Sequence, residues 1–370
     1  MHKAESPETW SPARSAPKKR VAIVGARGYS GAELARILLK HPGVELGACF
    51  VGHEPFVLSD LLPEPAARRV PMLPASDLVN AGPRFDVIFL ATPAEFSLVT
   101  APALLAGGVS VIDLSGAFRL KGQSPADAKA LYRQWYAFEH SSPEGLEKAV
   151  YGLAPWSHRG PAPTAPALIA NPGCYATAAL MGVLPLLAAN LVDPDSIVID
   201  AKSGTSGAGR KAAESMLFNE VDGDCQPYKI AKHQHLPEIR EHARILAGTV
   251  IDPFFATSLL PVRRGIIANI HARLRPGKSP ADVQGAFERA YSAYGLVDHG
   301  PVSGASSLSL KRVAGSPRTM LRYEVSGDKL YLFSLIDNLL KGAASQAVEN
   351  LNWLNEWPVD LGLTGTEGTL

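Results

Sequence analysis

Val21-Ala22-Ile23-Val24-Gly25-Ala26-Arg27-Gly28-Tyr29-Ser30-Gly31 begins as a short apolar, β-branched run, crosses three glycines and leads into Ala32 to Lys40, whose apolar residues have helical spacing. The stretch reads as strand, glycine turn and helix. Glycines there let a backbone approach a pyrophosphate and leave the first amides of the helix free to bind it. The spacing of Gly25, Gly28 and Gly31 departs from the usual G-x-G-x-x-G. The dinucleotide-binding reading therefore rests on the strand-to-helix context, against a purely structural turn.

Outward from this unit, Val44 to Val51, Asp86 to Ala91 and Val109 to Leu114 read as further strands, with helical stretches such as Ser97 to Leu105 between them. Strands alternating with helices imply a parallel sheet covered on both faces. At the end of the second strand, Cys49-Phe50-Val51-Gly52-His53 stands where a carboxylate would grip the ribose hydroxyls of NAD, and Glu54 follows too late for that role. Arg27 and His53 suit a 2′-phosphate, which favours NADP(H); solvated surface charges are the alternative.

After Leu191 the pattern changes. Ser196 to Lys202, Thr249 to Pro261, Ile266 to Leu274, Leu321 to Val325 and Lys329 to Phe333 read as strands of a mixed or antiparallel sheet. Ser279 to Tyr294 and Leu339 to Leu354 read as helices, the latter closing the chain. The expected fold class is α/β: a Rossmann-type parallel-sheet domain plus an α+β domain for catalysis and oligomerisation. The expected division is a tail over residues 1–19, a cofactor domain over 20–173 and 335–370, and a catalytic domain over 174–334.

Composition narrows the function. A chain of 370 residues suggests two domains. Lys plus Arg total 36 and Asp plus Glu 35, so the charge balance points to a small-molecule partner, away from nucleic acid or an anionic membrane. Cys49, Cys174 and Cys225 are too few and too scattered for a disulfide framework or a zinc site, which suits a reducing, cytoplasmic compartment. No apolar run reaches membrane-spanning length, and no signal segment is expected.

The chemistry is carried by Asn171-Pro172-Gly173-Cys174-Tyr175. It follows the apolar run Ala167 to Ala170, itself preceded by a proline-rich loop from Ser157, and precedes the apolar segment Ala176 to Leu187. Pro172 and Gly173 make a sharp turn that sets Cys174 on the first turn of a helix, where unpaired amides and the positive dipole end favour a thiolate. By itself this leaves nucleophile and packed thiol both open. Lys202 to Lys211 packs three glycines, three hydroxyls and three cations into ten residues. Such a loop offers donors to an anion, with Arg210 and Lys211 as charge partners, unless it is a plain solvent loop. His233-Gln234-His235-Leu236-Pro237-Glu238 supplies imidazoles and a carboxylate for base and orienter. On a strand the two histidines would point opposite ways, so one is expected to face the site.

Together these segments resemble the N-acetyl-γ-glutamyl-phosphate reductase family, related to aspartate-semialdehyde dehydrogenase. The pieces that carry the likeness are Gly25 to Leu34, Val111 to Leu120, Tyr151-Gly152-Leu153, Asn171 to Thr177, Ser203 to Lys211, His233 to Ile239 and Ile336 to Ala344. The resemblance implies NADPH-dependent reduction of N-acetyl-L-glutamyl 5-phosphate to the 5-semialdehyde, with phosphate released from a cysteine thioacyl intermediate, in arginine biosynthesis. It implies Cys174 as nucleophile, His233 as acid/base and Glu238 beside it. Arg119, Ser203, Gly207, Arg210 and His235 fall at substrate or phosphate positions. Gly25, Arg27, Gly28, Tyr29, Ser30, Gly31, Thr92, Pro93, Ser115 and Asn338 fall at cofactor positions. No metal is implied, and the expected assembly is a homo-oligomer, tetramer or dimer.

The chain also departs from the family. Ala154-Pro155 replaces the Pro-Glu that usually follows Tyr-Gly-Leu, a Ser-Arg pair after the second strand is missing, and Ala94-Glu95 replaces His-Gly after Ala-Thr-Pro. The rival readings are a reductase of a related acyl phosphate, such as carrier-bound aminoadipyl phosphate, and a non-catalytic nucleotide sensor.

Overall fold

The computed structural model describes residues 17–52, 56–210 and 213–365. His53, Glu54, Lys211 and most of the expected tail lie outside the described residues.

Seven strands, β1 (Lys19–Val24), β2 (Val44–Val51), β3 (Met72–Pro74), β4 (Val87–Leu90), β5 (Ser110–Asp113), β6 (Val150–Tyr151) and β7 (Leu168–Ala170), form one sheet in the order β3-β2-β1-β4-β5-β7-β6. Every pairing in it is parallel. In its central strands Val21–Val24, Val87–Leu90 and Ser110–Asp113 are buried throughout, as a sheet covered on both faces requires. The chain proceeds to one side of β1 and then returns to the other, so β1 and β4 flank a topological switch point, where a crevice opens beyond the strand ends. Gly25 and Ala91 meet there: a Cβ on Gly25, whose φ is +88°, would lie 2.3 Å from the Ala91 carbonyl oxygen.

The remaining strands, β8 (Val198–Gly204), β9 (Gln226–Pro227), β10 (Phe254–Leu260), β11 (Ile266–Arg273), β12 (Val297–Pro301), β13 (Thr319–Ser326) and β14 (Lys329–Ile336), build a mixed sheet ordered β12-β13-β14-β11-β8-β10-β9. β8 runs parallel to β10 and antiparallel to β11, which pairs antiparallel with β14 in turn. The helix Cys174–Ala188 packs on β11 and β14. All of its residues from Tyr175 to Leu187 are buried, and its apolar character all round is what a helix inside the core requires. A Cβ on Gly182 would come within 2.9 Å of Ile270, so glycine permits that close approach.

The expected strands fall on observed ones, with β10 starting at Phe254 rather than near Thr249. Three differences matter. The closing helix starts as a π-turn over Leu340–Ala344, in which Gly342 N–H donates to Asp337 O (2.9 Å) and Ala344 N–H to Leu339 O (2.9 Å), before the α-helix Ser345–Leu354. The short strands β3, β6, β9 and β12 carry too little apolar alternation to be read from sequence. The histidine segment is no strand: it feeds a helix, His235–Ala247.

Candidate active site

Cys174 is the first residue of its helix, with Gly173 as cap and no side chain covering the helix start. The preceding turn is fastened from several directions. Gly173 N–H donates to Glu238 Oε1 (2.8 Å), Asn171 N–H donates to Asp113 O (2.8 Å), and Asn171 Nδ2 donates to Ala343 O (3.2 Å). Arg119 Nε donates to Asn171 O (2.8 Å) while its Nη2 donates to Leu114 O (2.9 Å). On the other side Gly342 in the π-turn touches the cysteine, since a Cβ there would sit 2.7 Å from Cys174 Cβ. Single-turn π segments recur where a backbone must meet a functional group closely.

Both histidines reach this point. His235 packs against the glycine of the turn, so that a Cβ on Gly173 would lie 2.3 Å from its Nε2, and that nitrogen is 3.5 Å from Arg119 Nη1. His233 lies at 4.8 Å between ring centroids from His235 and edge-on to Tyr175 at 5.2 Å. Its Nδ1 accepts the His235 amide (3.2 Å), which leaves the ring proton of a neutral His233 on Nε2. The expectation that one histidine faces the site is therefore corrected: His233 precedes the helix and His235 is its first residue, so strand alternation does not apply and both line the same cavity.

Burial governs the electrostatics. It pushes the Cys174 thiol up to about 11, and Arg119 and the amides of Tyr175 and Cys174 offset this only in part. Burial thus opposes the thiolate that the helix start favours. Burial lowers His233 to about 3, with Lys229 adding to it; burial also lowers His235, which His233 and Arg119 depress further. Both imidazoles are neutral near pH 7. Glu238 is wholly buried, accepts from Tyr151 O–H (2.8 Å) as well as Gly173, and lies 3.6 Å from Arg119. Burial raises its carboxyl against the pull of Arg119, and in return Glu238 sustains the Arg119 charge that burial opposes.

A cavity of about 750 Å³ joins these groups to the switch-point crevice. Gly28, Tyr29, Ser30, Gly31 and Thr92 line one end, Cys174, His233, His235 and Arg119 the middle, and Gly207, Arg210 and Asn338 the loop side. The crevice fits a dinucleotide: the helix Tyr29–Leu38 has no capping side chain and no acidic residue in its first turn, and a Cβ on Gly31 would strike Gly25 O at 2.3 Å. The other expected residues lie outside the lining of this cavity. Ser115 donates to Asp113 Oδ2 (2.8 Å), Ser203 donates to Gly204 O (3.0 Å), and Glu238 buttresses the turn. Pro93 caps the helix Ala94–Ala106 and Arg27 is exposed, its carbonyl accepting from Arg210 Nη1 (2.9 Å). Lys202 pairs with Asp200 instead of facing an anion.

Family comparisons agree with this architecture. Residues 20–160 match the model of the semialdehyde dehydrogenase NAD binding domain, and 174–338 that of the semialdehyde dehydrogenase dimerisation domain. N-acetyl-gamma-glutamyl-phosphate reductase of Geobacillus stearothermophilus is 39% identical, covering 93% of this chain and 97% of its own. The chain belongs to the N-acetyl-gamma-glutamyl-phosphate reductase family. The reductase of Pectobacterium carotovorum is 43% identical over 89% of this chain and 95% of its own. Among solved structures, an aspartate semialdehyde dehydrogenase with NADP from Candida albicans shares the fold at a TM-score of 0.62 and 15% identity, covering 92% of this chain and 99% of its own. A probable aspartate-semialdehyde dehydrogenase from Pseudomonas aeruginosa does so at 0.66 and 19%, with the same coverage.

Some residues of this reductase-family site escape a reading of sequence. Lys341 and Glu349 are both wholly buried, with Lys341 Nζ donating to Glu349 Oε2 (2.8 Å), Tyr294 Oη (2.9 Å) and Ala154 O (3.2 Å). This pair fixes the π-turn one residue from Gly342. Its signal in the sequence is a Lys and a Glu eight residues apart in the closing segment. Among the described residues no group of His, Cys, Asp and Glu is arranged to hold a metal, and no helix is long and apolar enough to cross a membrane.

Proposed function

We propose that the chain reduces N-acetyl-L-glutamyl 5-phosphate to N-acetyl-L-glutamate 5-semialdehyde with NADPH, releasing phosphate. The observation that carries this is the single cavity shared by an uncapped glycine-turn helix, Cys174, two neutral imidazoles and Arg119. Gly28 to Gly31 and Thr92 would hold the dinucleotide, which when bound supplies a hydride to the acyl carbon. His233 takes the thiol proton on Nδ1, which lets go of the His235 amide, as Cys174 sulfur attacks the acyl-phosphate carbonyl. The S–C bond forms, the C–O bond to phosphate breaks, and phosphate leaves toward Gly207 and Arg210. Free amides at the start of the cysteine helix stabilise the oxyanion. After reduction, His233 returns its proton to sulfur as the hemithioacetal C–S bond breaks. His235 is the weaker candidate for this role, because Arg119 at 3.5 Å opposes a second charge on its ring. Glu238 acts as a positioning residue for the turn and for Arg119.

The same reading divides the chain into a cofactor domain over 20–173 and 335–370 and a catalytic domain over 174–334. It makes the protein a cytoplasmic homo-oligomer, tetramer or dimer. The alternating half-exposed positions along β11 support an association face on the mixed sheet. The test is phosphate-dependent reduction of NADP with N-acetylglutamate semialdehyde, run beside aspartate semialdehyde and the aminoadipate analogue. The first alone should turn over well, and Cys174→Ser should lower that rate by several orders of magnitude with NADP affinity unchanged. Equal turnover of another semialdehyde would overturn the substrate assignment, and a near-normal serine variant the covalent route.

A further inference from the structure

A second cavity, of about 690 Å³, shares no lining residue with the first. It opens between the ends of the cysteine helix and the helix Pro280–Tyr291 and the segment after the closing helix. Three of the five tryptophans of the chain, Trp156, Trp353 and Trp357, line it, and small alanine side chains such as Ala189 and Ala290 form much of the rest. Tryptophan is scarce, and three at one concave place are costly to leave facing water. Each is held by a neighbour: Trp156 Nε1 donates to Tyr291 Oη (2.9 Å), Trp353 stacks on His158 at 4.3 Å, and Trp357 packs on Gly43, where a Cβ would come within 2.8 Å of the indole.

The charge at this cavity has one sign. Arg159 lies with its guanidinium 3.7 Å from the Trp156 ring centroid, Arg289 lines the cavity from the helix Pro280–Tyr291, and both are exposed. Among the described residues no acidic side chain lines the cavity. Hydrogen bonds from Ser279 hold the Asp282 carboxyl down and Arg289 adds to this, yet among the described residues neither arginine makes an ion pair. His158 Nε2 is bonded to Asn350 Oδ1 (2.8 Å), and burial holds this imidazole down to about 4, so it is neutral. An aromatic cage for a cation would combine ring faces with carboxylates. Here the ring faces come with two guanidiniums that form no ion pair among the described residues, and a guanidinium matches a carboxylate or phosphate in planar, bidentate fashion.

We propose that this cavity is a binding site for a small planar anion, an aromatic ring bearing a carboxylate, sulfonate or phosphate, separate from the catalytic cleft. The ring lies against the Trp353 and Trp357 indoles, and its anionic group meets Arg289 and Arg159. The volume falls in the range of small-molecule sites, and the mixture of apolar walls with few polar anchors is their usual composition.

The test uses two probes with one ring and opposite charge, 2-naphthoate and 2-naphthylmethylammonium, titrated calorimetrically into the full chain with saturating NADP present. Naphthoate should bind at least tenfold more tightly than the ammonium. Arg289→Ala and Arg159→Ala should each weaken naphthoate by roughly tenfold or more, the scale of a lost charge-assisted hydrogen bond, and leave the ammonium unaffected. Both positions are exposed, so unchanged turnover of the reductase substrate reports that the variants are folded. Equal affinity of the two probes, insensitivity to both arginine variants, or naphthoate binding only when NADP is omitted would overturn the proposal. So would a naphthoate affinity that weakens as protein concentration rises, because a second copy of the chain would then cover the face. None of these outcomes depends on whether the catalytic assignment holds.

Discussion

Alkylation of Cys174 with iodoacetamide across pH separates two opposed influences on its sulfur. The helix start and Arg119 favour the thiolate, burial favours the thiol, and the balance lies at about 11. At pH 8 such a group is roughly one part in a thousand ionised, against about a quarter for an ordinary thiol with pKa of about 8.5. Intrinsic nucleophilicity rises by roughly 0.4–0.5 log units per pKa unit, which recovers about a factor of ten and leaves a net deficit of roughly twentyfold. Cys225 is exposed in the same chain and Cys49 is buried, its thiol pushed up to about 12, so peptide mass spectrometry provides both an internal standard and a blank. In the unliganded protein Cys174 should label at least an order of magnitude more slowly than Cys225 at pH 8. Its log rate should climb with unit slope from pH 7 to 9.5 without levelling. A plateau below pH 8, or labelling as fast as Cys225, would mean a resting thiolate, and would refute the argument that desolvation outweighs the helix start. The consequence for catalysis is that ionisation awaits substrate, with the proton handed to an imidazole during attack.

Three further outcomes follow from the same geometry. His233→Asn should lower kcat by roughly 10²- to 10⁴-fold, and His235→Asn by less; the reverse order in steady-state kinetics would move the proton-transfer role to His235. Glu349→Leu strands a buried ammonium and should cost about 3–5 kcal/mol in urea unfolding, and adding Lys341→Met should recover most of it; a double variant no more stable than the single one would refute the pairing. His242, lowered to about 3 by burial, stays neutral in the folded chain while the unfolded chain takes up a proton below about 6.5. Its contribution to stability is full above pH 6.5 and is lost as pH falls toward 3. The cost of His242→Asn should therefore shrink by roughly 2.7 kcal/mol between pH 7 and pH 4.5, and a pH-independent cost would contradict this.

Local pattern was enough for the parallel sheet, the glycine turn and the cysteine at a helix start, since each depends on periodicity and turn chemistry within a dozen residues. The β-branched run Val21 to Val24 and the apolar block after Cys174 have no other stable placement than a buried strand and a buried helix. What sequence left undecided are quantities set by atoms distant along the chain. The protonation of Cys174 depends on Arg119 and on the packing of Gly342. The facing of both histidines depends on a helix entrance that apolar spacing does not mark, and the role of Glu238 on its distance from Gly173 and Tyr151. Desolvation and charge pairing act through space, so only the tertiary structure decides them.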